Sequence, residues 1–188
     1  MSSFLKTTIA FTKKVATTGA LFETSSSVVK NITRPVDINQ KQVIIEYGAG
    51  HGNITRGILA RMHPNSILLS FELHKEFCEV LAQNVKDPRL HIINDSVGEL
   101  KKYLNDFGIE QIDCIISAIP LTLLPIALKE QLMTESYAHL RPGGCFMQVL
   151  YSLNALRKFK QYFDKVSYAP VLLNMPPAWI YTCLKAES

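Results

Sequence analysis

Gln42-Val43-Ile44-Ile45-Glu46-Tyr47-Gly48-Ala49-Gly50-His51-Gly52-Asn53 is the stretch that decides the fold. A short β-branched run stops at an acid and then meets a glycine at every second position. β-Branched side chains suit the pleated, buried surface of a strand. Glycine lets the chain turn sharply and approach a ligand with no Cβ in the way. Strand, glycine loop and a helix from Asn53 form the opening unit of a doubly wound sheet, whose ligands bind at the carboxyl ends of strands. Two common nucleotide frames fail. G-x-G-x-x-G needs glycine at the sixth position, which is Asn53 counted from Gly48 and Thr55 counted from Gly50. No Lys-Ser/Thr pair follows, so a P-loop fails as well. The pattern present is E-x-G-x-G-x-G.

Downstream of the loop, apolar runs alternate with helical patterns. Helices are predicted over 53–62, 75–85, 97–107, 125–139 and 153–163. Strands are predicted over 42–47, 66–72, 90–94, 112–118, 145–151, 165–173 and 179–185, with Arg141-Pro142-Gly143-Gly144 as a turn. This alternation specifies an α/β fold with a mostly parallel sheet covered on both faces. Asn174-Met175-Pro176-Pro177-Ala178 is too short for a crossover helix, so the last two strands pair antiparallel. The expectation is a doubly wound, Rossmann-like sheet of seven strands with a C-terminal antiparallel hairpin.

Upstream, residues 3–22 read as an amphipathic helix. Phe4, Leu5, Ile9, Phe11 and Val15 share one face, and Lys6, Lys13 and Lys14 take the other. Thr24-Ser25-Ser26-Ser27 supplies caps for a second helix from Ser26 to Ile32, stopped by Pro35. The division expected is an N-terminal helical lid or membrane-docking segment over 1–35 and a catalytic domain over 36–188.

The 188 residues are 47% hydrophobic and 19% charged, which suits one folded domain with a sizeable core. A net charge of +4 fits an anionic surface without naming one. Cys78, Cys114, Cys145 and Cys183 are widely spaced with no CxxC, which argues against a metal site and for buried, reduced thiols. Lysines are mixed into the N-terminal apolar positions, so no signal peptide is read there. The longest apolar stretch, 115–128, is too short to span a bilayer and contains Pro120 and Pro125.

Acids fall at consecutive strand ends: Glu46, then Glu72 about twenty residues past the loop, then Asp95-Ser96. A carboxylate at Glu72 suits a ribose with two free hydroxyls, and one at Asp95 suits an adenine amino group. Glu46 can accept from an ammonium.

With these residues the chain, from about residue 40 onward, resembles the class I S-adenosylmethionine-dependent methyltransferases. The resemblance implies that Gly48, Ala49, Gly50 and Gly52 pass beneath the methionine part of S-adenosyl-L-methionine. It sets Glu46 toward its amino group, Glu72 with neighbouring Leu73 toward its ribose, and Asp95 with Ser96 toward its adenine. His51 stands where the related enzymes usually carry Thr or Leu.

The acceptor side centres on Ser117-Ala118-Ile119-Pro120-Leu121. In ribosomal RNA adenine dimethylases, a more distant likeness, this segment begins with Asn and ends with an aromatic that stacks on a flipped base. Ser117 and Leu121 depart from both. The chain is more similar to bacterial phospholipid N-methyltransferases, including their ornithine-lipid-methylating relatives. The likeness runs through Thr18-to-Leu21 with Ser25-to-Ser27, Ser-x-x-Pro-Leu from Ser117, Gln-x-x-Tyr at Gln148 and Tyr151, and Asn-x-Pro-Pro-Ala from Asn174. Ala118, Ile119 and the segment from Leu21 to Thr24 depart from that family's pattern.

The resemblance implies an N-methyltransferase acting on a lipid amine headgroup, phosphatidylethanolamine or ornithine lipid. Such an enzyme would be cytoplasmic and peripherally bound at the inner face of the membrane. Ser117 is the residue expected to orient the amine while also lining the cofactor; Tyr151, and alternatively Tyr47, would hydrogen-bond the headgroup. The partners expected are the lipid and an anionic membrane surface rather than nucleic acid. RNA adenine N6-methylation is the alternative, and it lacks its stacking aromatic here.

Overall fold

β-Branched and aliphatic residues build the central strands of the computed structural model, which describes residues 24–37, 39–121, 124–153, 155–174 and 176–187. β1 (Val43–Tyr47), β2 (Ile67–Phe71), β3 (Leu90–Ile93), β4 (Ile112–Ser117) and β5 (Leu140–Leu150) run parallel. β7 (Ala178–Leu184) is antiparallel to β5, and β6 (Lys165–Val171) is antiparallel to β7. The order across the sheet is β3-β2-β1-β4-β5-β7-β6. The chain steps outward from β1 to β3, then returns to the other side of β1 for β4. That reversal opens a crevice beyond the carboxyl ends of β1 and β4, the place where doubly wound sheets bind ligands.

Six α-helices accompany the strands among the described residues: α1 (Ser26–Ile32), α2 (Asn53–Leu59), α3 (Lys75–Asn84), α4 (Leu100–Asp106), α5 (Ile126–His139) and α6 (Leu156–Phe159). Side chains alternate across the sheet and feed two cores. Ile44, Leu68, Ile116 and Met147 pack with Val28 and Ile32 of α1 and Ile54 and Ile58 of α2. Ile45, Phe71, Ile115 and Phe146 pack on the other face with Leu104 of α4, Leu132 of α5 and Phe159 of α6.

α1 begins where the Ser25 hydroxyl accepts from the Val28 N–H at 3.3 Å. Val28 and Ile32 are fully buried, each contributing about 1.5–3 kcal/mol. The helix lies close on α2 because position 57 is glycine: a Cβ there would stand 2.2 Å from Val29 Cγ1.

The expected fold class is the one observed, and the α1 boundaries are those predicted. The expected helix over 3–22 lies outside the described residues. Three predicted elements differ. The Arg141–Gly144 segment is not a separate turn; it is the start of β5, with Leu140 paired to Ile112 and the register slipping before Cys114–Cys145. Gly143, at φ 70°, takes up the irregularity. The helix predicted over 97–107 opens as a single 3₁₀ turn, Val97–Glu99, because the Ser96 hydroxyl accepts from the Gly98 N–H at 3.1 Å and tightens the entry. The helix predicted over 153–163 shrinks to α6. Tyr181 donates to the Ser152 carbonyl at 3.2 Å and holds the entering loop, while 161–163 close onto Lys158 and Phe159 as turns.

Cys78 (α3), Cys114 (β4), Cys145 (β5) and Cys183 (β7) are free and buried, as the spacing implied. Cys145 donates to Cys114 across a 3.3 Å Sγ–Sγ gap on neighbouring strands. Burial pushes the Cys78 thiol up to about 11 and raises Cys183 further. The hydrogen bond shared with Cys145, and then burial, raise Cys114 well above the usual thiol range.

Candidate functional site

The glycine loop leaves β1 with positive φ at Gly48, Gly50 and Gly52. At Gly48 the requirement is double. Its φ is 81°, and a Cβ would lie 2.7 Å from Ile119 Cγ2, the side chain that follows β4. The loops after β1 and β4 therefore meet across the crevice with nothing but backbone on one side.

Glu46, last but one in β1, lies under the start of α2. One carboxylate oxygen accepts from the Thr55 hydroxyl at 2.7 Å and the Ser70 hydroxyl at 2.6 Å. The other is buried with no partner. Ser70 sits opposite Glu46 in the β1–β2 register, which explains the pairing. Burial outweighs the two hydroxyl contacts and, with help from the nearby charge of Glu72, lifts the Glu46 carboxyl to about 7.

Glu72 closes the loop from the β2 side. Its carboxylate accepts from the Gly50 N–H and the His74 N–H, both at 2.9 Å. Asn94 donates to the carbonyls of Glu72 at 3.0 Å and Leu73 at 3.2 Å. Asp95 accepts from the Ser96 N–H at 2.7 Å and the Tyr103 hydroxyl at 2.9 Å, with Lys102 4.0 Å away. Burial and Asp95 hold the Tyr103 phenol up at about 12, so it stays a donor. The three acids thus stand in sequence along the carboxyl edge, as their spacing implied. His51 is exposed, its ring 4.6 Å from that of Phe77.

On the opposite sheet face one row crosses the strands: Phe71, Tyr47, Ser117, Gln148, Tyr181. Tyr47 is fully buried and its hydroxyl meets Ser136 of α5 at 3.1 Å. Its side chain is packed at the strand end. Ser117 is fully buried and its hydroxyl has no partner. Beside it, Gln148 donates to the Ile119 carbonyl at 3.0 Å and the Val149 carbonyl at 2.8 Å, leaving its side-chain oxygen unpaired. An unpaired buried polar atom costs about 1–3 kcal/mol. The two stand on adjacent strands, Ser117 paired with Gln148 in the β4–β5 register. Tyr151 follows at the rim, 49% exposed, its phenol raised mainly by partial burial while Asn174 pulls the other way.

Sequence reasoning missed Thr55, Ser70, Asn94 and Tyr103 and gave Gln148 no role. Of these only Gln148 lies in a motif, the Gln-x-x-Tyr that ends at Tyr151. Strand register would have offered Ser70, and the Ser117–Gln148 pairing would have singled out the glutamine.

The glycine loop and the strand-end acids lie within the part of the chain that a family model matches. The family model for ribosomal RNA adenine dimethylase fits residues 12–123, more than half of the chain. The chain belongs to that family. It is an S-adenosylmethionine-dependent methyltransferase. A curated ornithine lipid N-methyltransferase from Singulisphaera acidiphila is 27% identical over 92% of the chain and 91% of its own length. Among solved structures, a SAM-dependent O-methyltransferase from Thermotoga maritima superposes with a TM-score of 0.68 at 14% identity, covering 94% of this chain and 71% of that one. A Streptococcus mutans protein in complex with SAH gives 0.62 at 15% identity, covering 83% and 94%. At these identities the two structures show the shared fold.

Proposed function

We propose that this methyltransferase transfers its methyl group to the amine of a lipid headgroup. One observation carries the reading: the loops that leave β4, β5 and β6 are uncharged, and basic residues come only in the helices that follow, at Lys129 of α5 and Arg157 and Lys158 of α6. The segments 117–128, 145–156 and 168–184, which include the loops after β4, β5 and β6, contain no Asp, Glu, Lys or Arg. The cofactor half carries Glu46, Glu72, Asp95 and Arg56. A polynucleotide acceptor brings a phosphate at every residue and is ordinarily met by Lys and Arg. A lipid amine brings acyl chains and one polar group, which suits apolar loops around two buried acceptors. The ornithine lipid relative supports the same substrate class.

The residues present fit the cofactor. The unpaired Glu46 oxygen would take the methionine ammonium, and Gly48, Ala49, Gly50 and Gly52 would leave room beneath it. Glu72 and Leu73 would hold the ribose, with Asp95 and Ser96 at the adenine. Bound S-adenosylmethionine supplies an electrophilic methyl on a positively charged sulfur. Ser117 would line that methyl and accept an N–H from the amine, with the Gln148 oxygen as a second acceptor. Together they would aim the nitrogen lone pair along the line of transfer in a water-poor pocket. Tyr151, its phenol protonated, would bind the headgroup at the rim as a hydrogen-bonding group rather than a base. The amine must arrive neutral, since an ammonium has no lone pair. The N-terminal segment over 1–35 would dock on the membrane or close the cofactor site.

Labelled cofactor incubated with liposomes of phosphatidylethanolamine or ornithine lipid should yield labelled lipid. Cofactor binding without labelled lipid rejects the reading. The family description favours a second reading, adenine methylation of RNA; label entering RNA fragments, and not lipid, would establish it.

A further inference from the structure

We propose that the tip of the β6–β7 hairpin, Leu172-Leu173, is a wedge that inserts into the lipid layer and presents the acceptor crevice to it. Leu172 is 74% exposed and Leu173 81%. Adjacent leucines this open on a folded surface mark a contact site more often than chance placement. They are not alone. Ile126 at the start of α5 is 68% exposed, and Tyr151 and Leu153 after β5 are 49% and 43% exposed.

Topology puts these side chains on one edge. β4 and β5 are parallel, and β6 runs with β5 because each is antiparallel to β7. The loops that leave β4, β5 and β6 therefore emerge at the same end of the sheet, around Ser117 and Gln148. A wedge at this end would bring the headgroup to the crevice; a wedge at the opposite end would not.

The occupant follows from charge. The exposed apolar residues carry no formal charge and lose little on entering an apolar phase, while Lys129 of α5 and Arg157 and Lys158 of α6 follow within five residues, where anionic headgroups would meet them. Hydrophobic insertion depends on apolar area, and leucine contributes nearly all of its side chain. Asn174 makes the hairpin firm: it accepts from the Ser25 N–H at 3.3 Å and donates to the Pro176 carbonyl at 2.7 Å. The wedge is thereby tied to the start of α1.

The inference rests on the lipid reading above, but its test does not require catalysis. Full-length protein is sedimented with vesicles of phosphatidylcholine and phosphatidylglycerol, wild type against the Leu172→Ser/Leu173→Ser pair. The pair should partition roughly ten- to a hundred-fold more weakly, with thermal stability and S-adenosylmethionine binding unchanged. In a second variant, Leu173→Trp, the added indole should shift its emission to the blue when vesicles are present, above the background of Trp179. Equal partitioning of wild type and serine pair overturns the proposal. So does an indole already shielded without vesicles, which would assign the leucines to a partner segment of this chain or a second copy. Loss of RNA binding in the serine pair, with no vesicle binding in the wild type, overturns it in favour of nucleic acid. Vesicle binding that depends on the leucines, in protein that methylates no lipid, would leave the wedge standing and reject the substrate.

Discussion

Glu46 is held by two hydroxyls and yet titrates near neutrality, because burial dominates. Its folded carboxyl, at about 7, lies above the ordinary 4.5. The neutral form is therefore the one that favours folding. That contribution is complete below pH 4.5 and is lost as pH rises through 7. The shift corresponds to about 3 kcal/mol at most. Glu46→Gln should remove the slope, so that urea unfolding at pH 5 and pH 8 differs less in the variant. If the free oxygen meets the cofactor's ammonium, wild-type affinity should also fall below pH 7, and calorimetry on the variant should show weak, pH-independent binding. Glu72→Gln offers a contrast. Both oxygens of Glu72 accept backbone N–H groups, and an amide nitrogen would face one of them donor to donor. Cofactor affinity should fall roughly ten-fold or more, read by the same titration. The acids themselves were legible because a carboxylate at a strand end stands out in sequence. Thr55, Ser70, Tyr103 and Asn94 were not, since they reach the site through register and helix phase.

At the scale of elements, Gly57 governs how α1 lies against α2. Gly57→Leu would drive a branched side chain into Val29, already 2.2 Å from the first added carbon. The expected loss is on the order of 1–3 kcal/mol, seen as a lower midpoint in urea. Cofactor affinity should fall with it, because Thr55 on the same helix holds Glu46. The apolar runs of the strands were readable throughout, and so was the terminal hairpin, whose short connection allows no other pairing. Helix ends were less readable. Ser96 and Tyr181 each act on a neighbouring backbone from a side chain, and periodicity does not register such contacts. Pro142-Gly143-Gly144 reads as a turn by composition, yet neighbouring β4 draws Leu140 into the sheet.

Across the whole molecule, the carboxyl edge is divided by the β1–β4 reversal into a half with acids at its strand ends and a half whose loops are uncharged. The division predicts separable functions. Gln148→Leu removes the hold on the Ile119 carbonyl and one unpaired oxygen, so methyl transfer should fall about 100-fold while S-adenosylmethionine binding stays near wild type. Steady-state rates and calorimetry on one preparation distinguish this from general damage, which would lower both. Sequence could show that the two halves differ in composition; it could not show that Ser117 and Gln148 lie side by side, which depends on strand order. Elsewhere in the fold, the four buried thiols amount to a built-in clock for opening. Shielded from solvent, and with Cys78, Cys114 and Cys183 also raised in pKa, they should resist alkylation until their surroundings part. Cys78, on α3 near the edge of the sheet, should label before Cys114 in the centre. Mass spectrometry of alkylated protein would then time, region by region, how the fold comes apart.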